Sequence, residues 1–573
     1  MSDKISREER TDASGDSKFT RRGMMALTGL AGLGIASTGM ASAAQSGDLD
    51  MNGYQILNVN DIKAASNTAY SSWMSSGSGS GAVQLWDKSA GTYFLRAQED
   101  GSGSAGPINV NSSIEDGLDV DNLSISGWNV VDLVEKGADP SGGTSINSLL
   151  DQYAGDNTLI VLPDGEYKMD GPFNHDQFTN FGLVGKGDAI LKATGNITTP
   201  LLGFGYTDDT KTRETLRLEN LTIDITNSGC RPLFCLAEKN MLVENVEVVG
   251  KRQDGVGNID SNIFGMTASD GYGRVNIRLP DGGEYRSGKS RTSQFIGVAA
   301  GGGRNVGTLV FDGCYLANFL NNGLYLKAHP GQVYVKNCHV KNCGLTSIRL
   351  GDGHSARDCL IEIDDEAAKS NTNVPSSSDF NPAAQAIWGE LGNTVYENIT
   401  IVRNNGGNRL IRNGTDADAF MRCSNLNVED SGTGDVFELV YDGEIVMENC
   451  VFEKKAGSSW TSQVESPNAR VTMRDCKYTT TKDSTNRRGI LVRDSERFVA
   501  ENCYFDAQNY TLQPVDNRSS AEMYTRIVGC EVNGRLNIKG PKVAVVKDCD
   551  FSNGNLTFGE HADTEFVRDN YSA

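Results

Sequence analysis

Apolar residues alternate with polar ones in short runs along most of the chain, and from about residue 220 onwards these runs share one phrase. The phrase is an apolar strand, then Asn, Asp or Gly, then Cys or another apolar residue, one spacer and a further apolar residue. Alternation with a period of two predicts β-strands and excludes helical repeats. The second residue of the phrase stands at positions 221, 246, 314, 338, 359, 399, 426, 450, 476, 503, 530 and 549.

The spacing of this phrase predicts how the strands are arranged. Most intervals are 19 to 27 residues, and the two outliers, 68 and 40, predict inserted loops around residues 250–293 and 364–384. A repeat of this length with Asn and Gly at its corners is typical of a stacked solenoid, here an all-β one of about twelve or more coils. Ahead of the repeats, the pattern predicts a short helix over 145–153 and a strand over 159–162.

Cysteine follows the same register. Eight of the twelve cysteines, from Cys314 to Cys549, occupy the second position of the phrase. Because coils stack about 4.8 Å apart, their side chains are expected to form an inward ladder of small buried apolar groups. Zinc and disulfides are the alternatives, but no CxxC pair occurs and aligned coils do not form tetrahedral clusters. Cys230, Cys235 and Cys343 lie off this ladder.

The first 44 residues read as an export signal. Arg21 and Arg22 precede an apolar, glycine-rich stretch that ends in Ala41-Ser42-Ala43. This arrangement resembles a twin-arginine signal peptide with its cleavage site. The apolar run is shorter than the ~20 residues that a spanning helix needs, and no later segment could span a bilayer. We therefore expect a secreted or cell-surface protein without a membrane span.

Residues 46–132 form a separate β-rich region in the sequence, and residues 133–573 form the solenoid. The region begins with the pattern Leu49-x-Met51-Asn52-Gly53 and contains two Ser/Gly-rich runs. The pattern resembles short modules of phage tail fibres and related trimeric surface proteins, which implies a fibre-like homotrimer. An ordinary strand–turn–strand is the alternative.

Net charge narrows the classes of partner. The chain carries 53 basic and 74 acidic residues, for a net charge of −21. Nucleic-acid binders need a basic footprint, so a nucleic-acid partner is excluded. An acidic surface suits solubility in strong salt. Since haloarchaea make heavy use of twin-arginine signals, the chain resembles a haloarchaeal exported protein.

Three features together resemble a known family. They are Gly137-Ala138-Asp139-Pro140, the strand and turn over 162–167, and the repeated Asn-Cys corners. They are similar to right-handed parallel β-helix proteins of the pectate-lyase superfamily, from Val131 to the end of the chain. The family includes polysaccharide lyases, polygalacturonases, tailspikes and non-catalytic surface proteins, so the resemblance implies the fold but leaves function open.

The resemblance makes polygalacturonase-like hydrolysis doubtful. That machinery uses an Asp-Asp pair and a Gly-His-Gly in the next coil. The matching stretches here carry Asn321-Asn322 and Cys343-Gly344-Leu345. Asparagine cannot act as a general acid or base.

A lyase of this family would use Ca²⁺ on carboxylates and an Arg or Lys as base. Lys327 and Arg349 are 22 residues apart, one coil, and both should point outward if Leu324, Leu326, Ile348 and Leu350 point inward. Two cations so close on an acidic protein suggest an anion between them, either a uronate carboxylate or Asp352. The candidate residues are Lys327, Arg349, His329, Asp352 and His354 for catalysis, Tyr325, Arg357 and Arg274 for substrate, and Asp254, Asp260 and Asp270 for metal.

The sequence thus predicts an exported polysaccharide-active β-helix protein, a lyase that cleaves acidic polysaccharide by β-elimination. The alternative is a non-catalytic cell-surface β-helix that acts in glycan binding, adhesion or structure. The absence of a complete catalytic motif and the fibre-like pattern favour the alternative. The insertions and the clustered charges favour the enzyme.

Overall fold

The computed structural model describes residues 128–558, apart from gaps at 207–211, 257–260, 383, 415–418, 440, 457–459, 482–487, 515–522 and 540–542, and four isolated strands. Those strands are Val83–Asp87, Thr92–Ala97, Gly103–Ala105 and Val567–Arg568. The predicted signal peptide, most of the 46–132 region and Asp260 lie outside the described residues. The chain divides into two compact units, Met1–Asn111 and Ser112–Ala573.

Antiparallel strands make up what is described of the first unit. Val83–Asp87 pairs with Thr92–Ala97, which pairs with Gly103–Ala105. The three strands form one small sheet.

The second unit is a right-handed parallel β-helix. One coil contains Val333–Lys336, His339–Lys341 and Thr346–Leu350, and each strand pairs in parallel with its counterpart one coil on. The large sheet system contains the strands Asn129–Asp132, Ser141–Ser145, Thr158–Leu162, Gly165–Met169, Phe178–Ala193, Arg213–Asp224, Asn240–Val249, Tyr272–Leu279, Thr308–Asp312, Tyr315–Ala317, Val333–Lys336, His339–Lys341, His354–Arg357, Leu360–Ile363, Asn393–Glu397, Thr400–Arg403, Phe420–Ser424, Asn427–Asp430, Glu438–Leu439, Gly443–Glu448, Val451–Lys454, Trp460–Glu465, Ala469–Arg474, Lys477–Thr480, Arg488–Asp494, Arg497–Glu501, Tyr504–Pro514, Tyr524–Val528, Glu531–Ile538, Val543–Lys547, Gly554–Phe558 and Val567–Arg568.

A separate nine-stranded sheet, called the short sheet below, forms another side of the coils. Its strands are also parallel, and along the chain each of them stands between two strands of the large sheet. In order along the sheet they are Phe173–His175, Leu202–Phe204, Leu233–Ala237, Asn262–Met266, Val298–Ala300, Leu324–Tyr325, Thr346–Leu350, Gln385–Gly389 and Ile411–Arg412.

The polar residue of the repeated phrase is set by backbone geometry. Asn337, Asp358, Asn398 and Asn449 have positive φ angles of 52° to 55°, in the left-handed region that Asn and Asp tolerate best after Gly. Their side chains then bond from coil to coil. For example, Nδ2 of Asn425 donates to Oδ1 of Asn398 over 2.9 Å, and Nδ2 of Asn398 donates to Oδ1 of Asp358 over 2.9 Å. These bonds form a ladder of corner side chains from coil to coil.

The predicted cysteine ladder is confirmed as a set of free, buried thiols. All twelve cysteines lie among the described residues, and each is a buried thiol that forms no disulfide. The ladder thiols donate to carbonyls, as Sγ of Cys476 does to the carbonyl oxygen of Met447 over 3.4 Å.

Cys476→Ser is expected to lower the free energy of unfolding by about 1–3 kcal/mol, because the hydroxyl is more costly to bury in an apolar stack than the thiol. Denaturant unfolding measures the change. Lys477→Ser, at the exposed neighbouring position, is the matched control and should change it by less than about 0.5 kcal/mol. Equal effects of the two substitutions would contradict the ladder.

The two predicted insertions are present and pack on each other. The second contains the helix Asp365–Asn371, whose N-cap Asp364 accepts a bond from the amide of Ala367 over 2.9 Å. The amide of Tyr285, in the first insertion, donates to the carbonyl of Thr372 over 2.8 Å. The Tyr285 ring lies 5.1 Å from that of Phe380. The remaining helices among the described residues are Asn147–Tyr153 and the 3₁₀ turn Arg291–Ser293.

An outward ladder of alternating charge, called the charge zipper below, crosses five coils of the large sheet. Glu448 accepts from Arg422 over 2.7 Å and from Arg474 over 3.2 Å. Glu501 accepts from Arg474 and from Arg526, each over 3.1 Å. Such a network stabilises more than isolated surface pairs do, since each carboxylate serves two coils.

Inside the solenoid, three charged side chains, called the buried triad below, occupy one inward position in successive coils. Asp430 accepts from Nη2 of Arg403 over 2.6 Å and from Nζ of Lys454 over 2.7 Å, and all three side chains are fully buried. Nζ of Lys454 also donates to the carbonyl of Gly432 over 2.7 Å. Burial lowers the pKa of Lys454 to about 8, although Asp430 opposes the shift.

Candidate functional site

Aromatic and cationic side chains share one outward row on the short sheet. Tyr325, Arg349, Trp388 and Arg412 are register partners on four successive strands. The Arg349 guanidinium lies 5.1 Å from the Tyr325 ring centre and 3.6 Å from that of Trp388. Arg412 covers Trp388 at 3.8 Å. Stacked cations of this kind hold both the arginines and the ring in fixed positions.

The row continues into one more coil. The Arg412 guanidinium lies 4.9 Å from the Tyr441 ring centre, and its Nη2 donates to the Tyr441 hydroxyl. Burial lowers the pKa of Arg412. The indole N–H of Trp388 is buried without a hydrogen-bond partner among the described residues.

Glu390 binds both predicted cations. It directly follows the strand Gln385–Gly389, and its Oε1 accepts from Nζ of Lys327 over 2.6 Å while Oε2 accepts from Nε of Arg349 over 2.5 Å. The residue is 6 % exposed. Burial raises the pKa of this carboxyl, but the bonds from Arg349 and Lys327 outweigh it and the net pKa lies below the usual value. Glu390 is therefore an ionised carboxylate held between two cations.

The structure confirms the geometry predicted for Lys327 and Arg349. Leu324, Leu326, Ile348 and Leu350 are fully buried, and the two cations come together on adjacent coils of the outer face. The sequence predicts that a uronate carboxylate of the substrate or Asp352 lies between the two cations. In the structure Glu390 lies there instead of Asp352.

Asp352 has another role in the structure. It is exposed, and its Oδ1 accepts from the amide of Asn393 over 2.7 Å, so it fixes a turn of the next coil.

His329 and His354 are buried, where the sequence placed them in a groove. His329 is 2 % exposed, and its Nδ1 accepts from the amide of Gly331 over 3.1 Å. His354 is also buried; its Nδ1 accepts from the amide of Gly351 over 3.2 Å and its Nε2 donates to the carbonyls of His329 and Gly331, each over 3.0 Å. Neither ring presents a nitrogen to solvent, so we leave both out of the proposed catalytic set.

Burial makes these histidines sensitive to acid. It lowers the pKa of His329 to about 4 and also lowers that of His354. Because the unfolded rings take up protons near pH 6.5, their contribution to stability is complete above that pH and is lost as the pH falls from about 6.5 towards 4.

The free energy of unfolding of His329→Gln should fall less between pH 7 and pH 4.5 than that of the unchanged protein, as measured by denaturant unfolding. Parallel pH profiles for the variant and the unchanged protein would contradict this.

Arg357 and Arg274 lie on the large sheet, away from the row, contrary to their predicted place beside it. Arg357 ends the strand His354–Arg357 and is exposed, with Asp358 at 3.9 Å. Arg274 lies within Tyr272–Leu279, 3.8 Å from Glu244. The outward side chains of two sheets face different directions, which one-coil spacing alone does not distinguish.

Carboxylates proposed as metal ligands do not form a site in the described part of the chain. Asp254 accepts from Nε of Arg286 over 3.4 Å, and Asp270 is exposed in the turn before Tyr272–Leu279. Asp260 lies outside the described residues. Among the residues that the structure describes, no group of three or more His, Cys, Asp or Glu could hold a metal ion.

A cavity of about 540 Å³ lies where the neighbouring strands of the short sheet end. It is lined by Arg213, Leu236, Glu238, Thr267, Ala268 and residues 302–305. Glu390 also follows the carboxyl end of a short-sheet strand, so the cavity and the Lys327–Glu390–Arg349 cluster share one edge of this sheet.

Sequence reasoning found Lys327, Arg349 and Tyr325 but missed Glu390, Trp388, Arg412 and Tyr441. The insertion at 364–384 separates Arg349 from Trp388 by 39 residues, so the constant coil spacing fails at that point. The available signal was the apolar strand Gln385–Gly389, which resumes the short-sheet pattern directly before Glu390.

Comparisons with known proteins give distant structural similarity only. No family model matches the chain, and no curated protein matches it. Among solved structures, ORF18 of Geobacillus virus E2 aligns at 12 % identity and TM-score 0.25 over 87 % of this chain and 71 % of that chain. The mannuronan C-5 epimerase A-module of Azotobacter vinelandii aligns at 10 % identity and TM-score 0.28, over 78 % of this chain and 100 % of that chain. The family 28 exopolygalacturonase of Yersinia enterocolitica aligns at 13 % identity and TM-score 0.20, over 86 % of this chain and 82 % of that chain. At these values the similarities carry no argument about function.

Proposed function

We propose that this protein is exported, binds an acidic polysaccharide along the outer row of the short sheet, and cleaves it by β-elimination. The observation that carries the proposal is the Lys327–Glu390–Arg349 cluster beside Tyr325, in which two cations converge on the outer face of an acidic protein. The twin-arginine-like signal supports export.

A uronate chain suits the chemistry of this row. Its carboxylates need cations, which Arg349 and Arg412 supply on the two strands that flank the strand of Trp388, and its sugar faces pack on rings such as Tyr325. Arg349 offers its remaining guanidinium N–H groups to a substrate carboxylate, because its hydrogen bond to Glu390 is made through Nε.

β-Elimination must neutralise the C6 carboxylate, remove the C5 proton and release the C4 oxygen. In the proposed mechanism Arg349 binds the carboxylate, since a stacked guanidinium stays protonated. Lys327, whose side chain is 25 % exposed, is the base. When the substrate carboxylate binds the other N–H groups of Arg349, the bond from Nε to Glu390 weakens, and Glu390 becomes more basic and accepts the Nζ proton. The neutral amine then takes the C5 proton, and the C4–C5 double bond forms as the C4–O bond breaks. Water protonates the leaving oxygen, and the hydroxide so formed takes the proton from Glu390.

The direct test is absorbance near 235 nm, where unsaturated uronides absorb. Purified protein is mixed with pectate, alginate and other uronate polymers in high salt, with and without Ca²⁺. We expect absorbance to rise with at least one polymer and not with a neutral glucan. No rise with any polymer would refute cleavage by elimination.

Non-catalytic glycan binding is the second candidate, and one observation favours it. Glu390 already accepts a hydrogen bond from both Lys327 and Arg349, so each of these side chains is engaged within the protein in the resting site. Co-sedimentation with the same polymers separates the two functions. Binding without any rise at 235 nm would support a surface glycan-binding or adhesion protein.

A further inference from the structure

A buried guanidinium stands at the corner where the chain enters an early strand of the short sheet. Arg231 is 3 % exposed and lies two residues before Leu233–Ala237. Its Nε donates to the carbonyl of Leu233 over 3.2 Å, and its Cζ lies 5.0 Å from the Phe234 ring centre. Its Nη1 and Nη2 are buried without a hydrogen-bond partner in the described part of the chain.

Other donors gather at the same corner. The amide of Gln253 donates to the carbonyl of Gly229 over 3.0 Å, so this turn and the turn of the next coil are tied together. Ser228 is buried, and its Oγ makes no hydrogen bond of ordinary geometry among the described residues, although the Cys230 thiol lies close to it. Arg252, the residue before Gln253, is buried as well and adds a second positive charge to the pair of turns.

The energetics of this corner require a negative charge. Burying an arginine without a partner for its Nη groups costs several kcal/mol, and a second buried cation nearby adds repulsion. Burial, together with the nearby charge of Arg252, lowers the pKa of Arg231 to about 9. A bound anion removes both penalties through charge-assisted hydrogen bonds.

We propose that this corner binds one halide-sized anion, held by Nη1 and Nη2 of Arg231 and by Oγ of Ser228. Only a small anion suits this corner, because Arg231 and Ser228 are both almost fully buried. Chloride fits these limits and accepts hydrogen bonds from several N–H and O–H donors.

The anion site is independent of the proposed cleavage reaction. The strand Leu233–Ala237 lies three strands from Leu324–Tyr325 along the short sheet, about 14 Å at the usual strand spacing. A ligand at this corner would act on stability, because it binds the folded chain and not the unfolded one.

Thermal unfolding in sodium chloride and in sodium gluconate of equal ionic strength tests the proposal. We expect the unfolding midpoint to rise with chloride concentration and then reach a plateau. Gluconate should give only the gradual change of a general salt effect, without a plateau. Arg231→Gln should lose the chloride-specific rise. Arg278→Gln is the matched control, since Arg278 is exposed and paired with Glu247 over 3.0 Å, and it should keep the rise. The proposal would be overturned if the unfolding midpoint responded equally to the two salts, or if Arg231→Gln responded to chloride as the unchanged protein does. A midpoint that rose in sodium phosphate and not in sodium chloride would also overturn it.

A second measurement keeps the test decisive if Arg231→Gln fails to fold. Crystals of the unchanged protein soaked in sodium bromide should show an anomalous peak within hydrogen-bonding distance of Arg231. The absence of a peak at this corner, in a crystal with bromide bound elsewhere on its surface, would also overturn the proposal.

Discussion

Asp430→Asn should be the most damaging single substitution in the described solenoid, lowering the free energy of unfolding by about 3–5 kcal/mol. The side chain keeps its size but loses the charge that faces Arg403 and Lys454, and both cations are fully buried. Removing one partner of a buried ion pair is costly because the other partner is left in a medium of low dielectric constant. Urea unfolding followed by circular dichroism measures the effect.

The neighbouring residue provides the control for this substitution. Glu429 points outward on the same strand and pairs with Lys455 over 3.2 Å in solvent. Glu429→Gln should therefore cost less than about 1 kcal/mol. Adding Lys454→Met to Asp430→Asn should recover part of the loss, since it removes one of the two stranded cations. Equal losses of unfolding free energy for Asp430→Asn and Glu429→Gln would show that the buried triad stabilises the fold no more than an exposed ion pair does.

Arg349→Ala should reduce cleavage of the acidic polymer by about 100-fold or more, since it removes the group that binds the reacting carboxylate. The side chain is only 11 % exposed and is bonded to Glu390 and stacked on Trp388. We therefore also expect a stability cost of about 1–3 kcal/mol. The readouts are the rate of absorbance change near 235 nm and the affinity for the polymer.

Two further variants separate the roles of Arg349. Arg349→Lys keeps the charge but not the stacked, planar donor set, so it should restore folding stability better than cleavage. Arg422→Ala, at an exposed position of the charge zipper, should leave cleavage unchanged. If Arg349→Ala cleaved the polymer at the full rate, Arg349 would not belong to the active site. The cavity beside Arg213 and Asn305 would then be the next candidate site.

Much of the fold could be predicted because the physics of each coil is local. A corner that needs a positive φ selects Asn, Asp or Gly, and the next inward position selects a small apolar residue such as Cys338. These demands recur once per coil, so they appear in the sequence as a period. The insertions appeared as gaps in that period for the same reason.

The site was less predictable because it depends on which sheet a strand joins. Lys327 and Arg349 were found by counting one coil, and the count places them correctly. Arg357 fails the same reasoning because its strand belongs to the large sheet. Polarity is also a poor guide at His354, since a histidine beside charged residues can bond both ring nitrogens to backbone groups and remain buried.

The charge zipper gives the stack a parity. The backbone repeats with every coil, but the zipper's outward row reads Glu448, Arg474, Glu501 on three successive strands, so its sign repeats only with every second coil. Deleting the single coil that contains Arg474 would leave every strand able to pair, yet it would set Glu448 directly beside Glu501. Deleting two adjacent coils would restore the match. In this part of the molecule, shortening or lengthening by an even number of coils preserves the surface electrostatics, and an odd number does not.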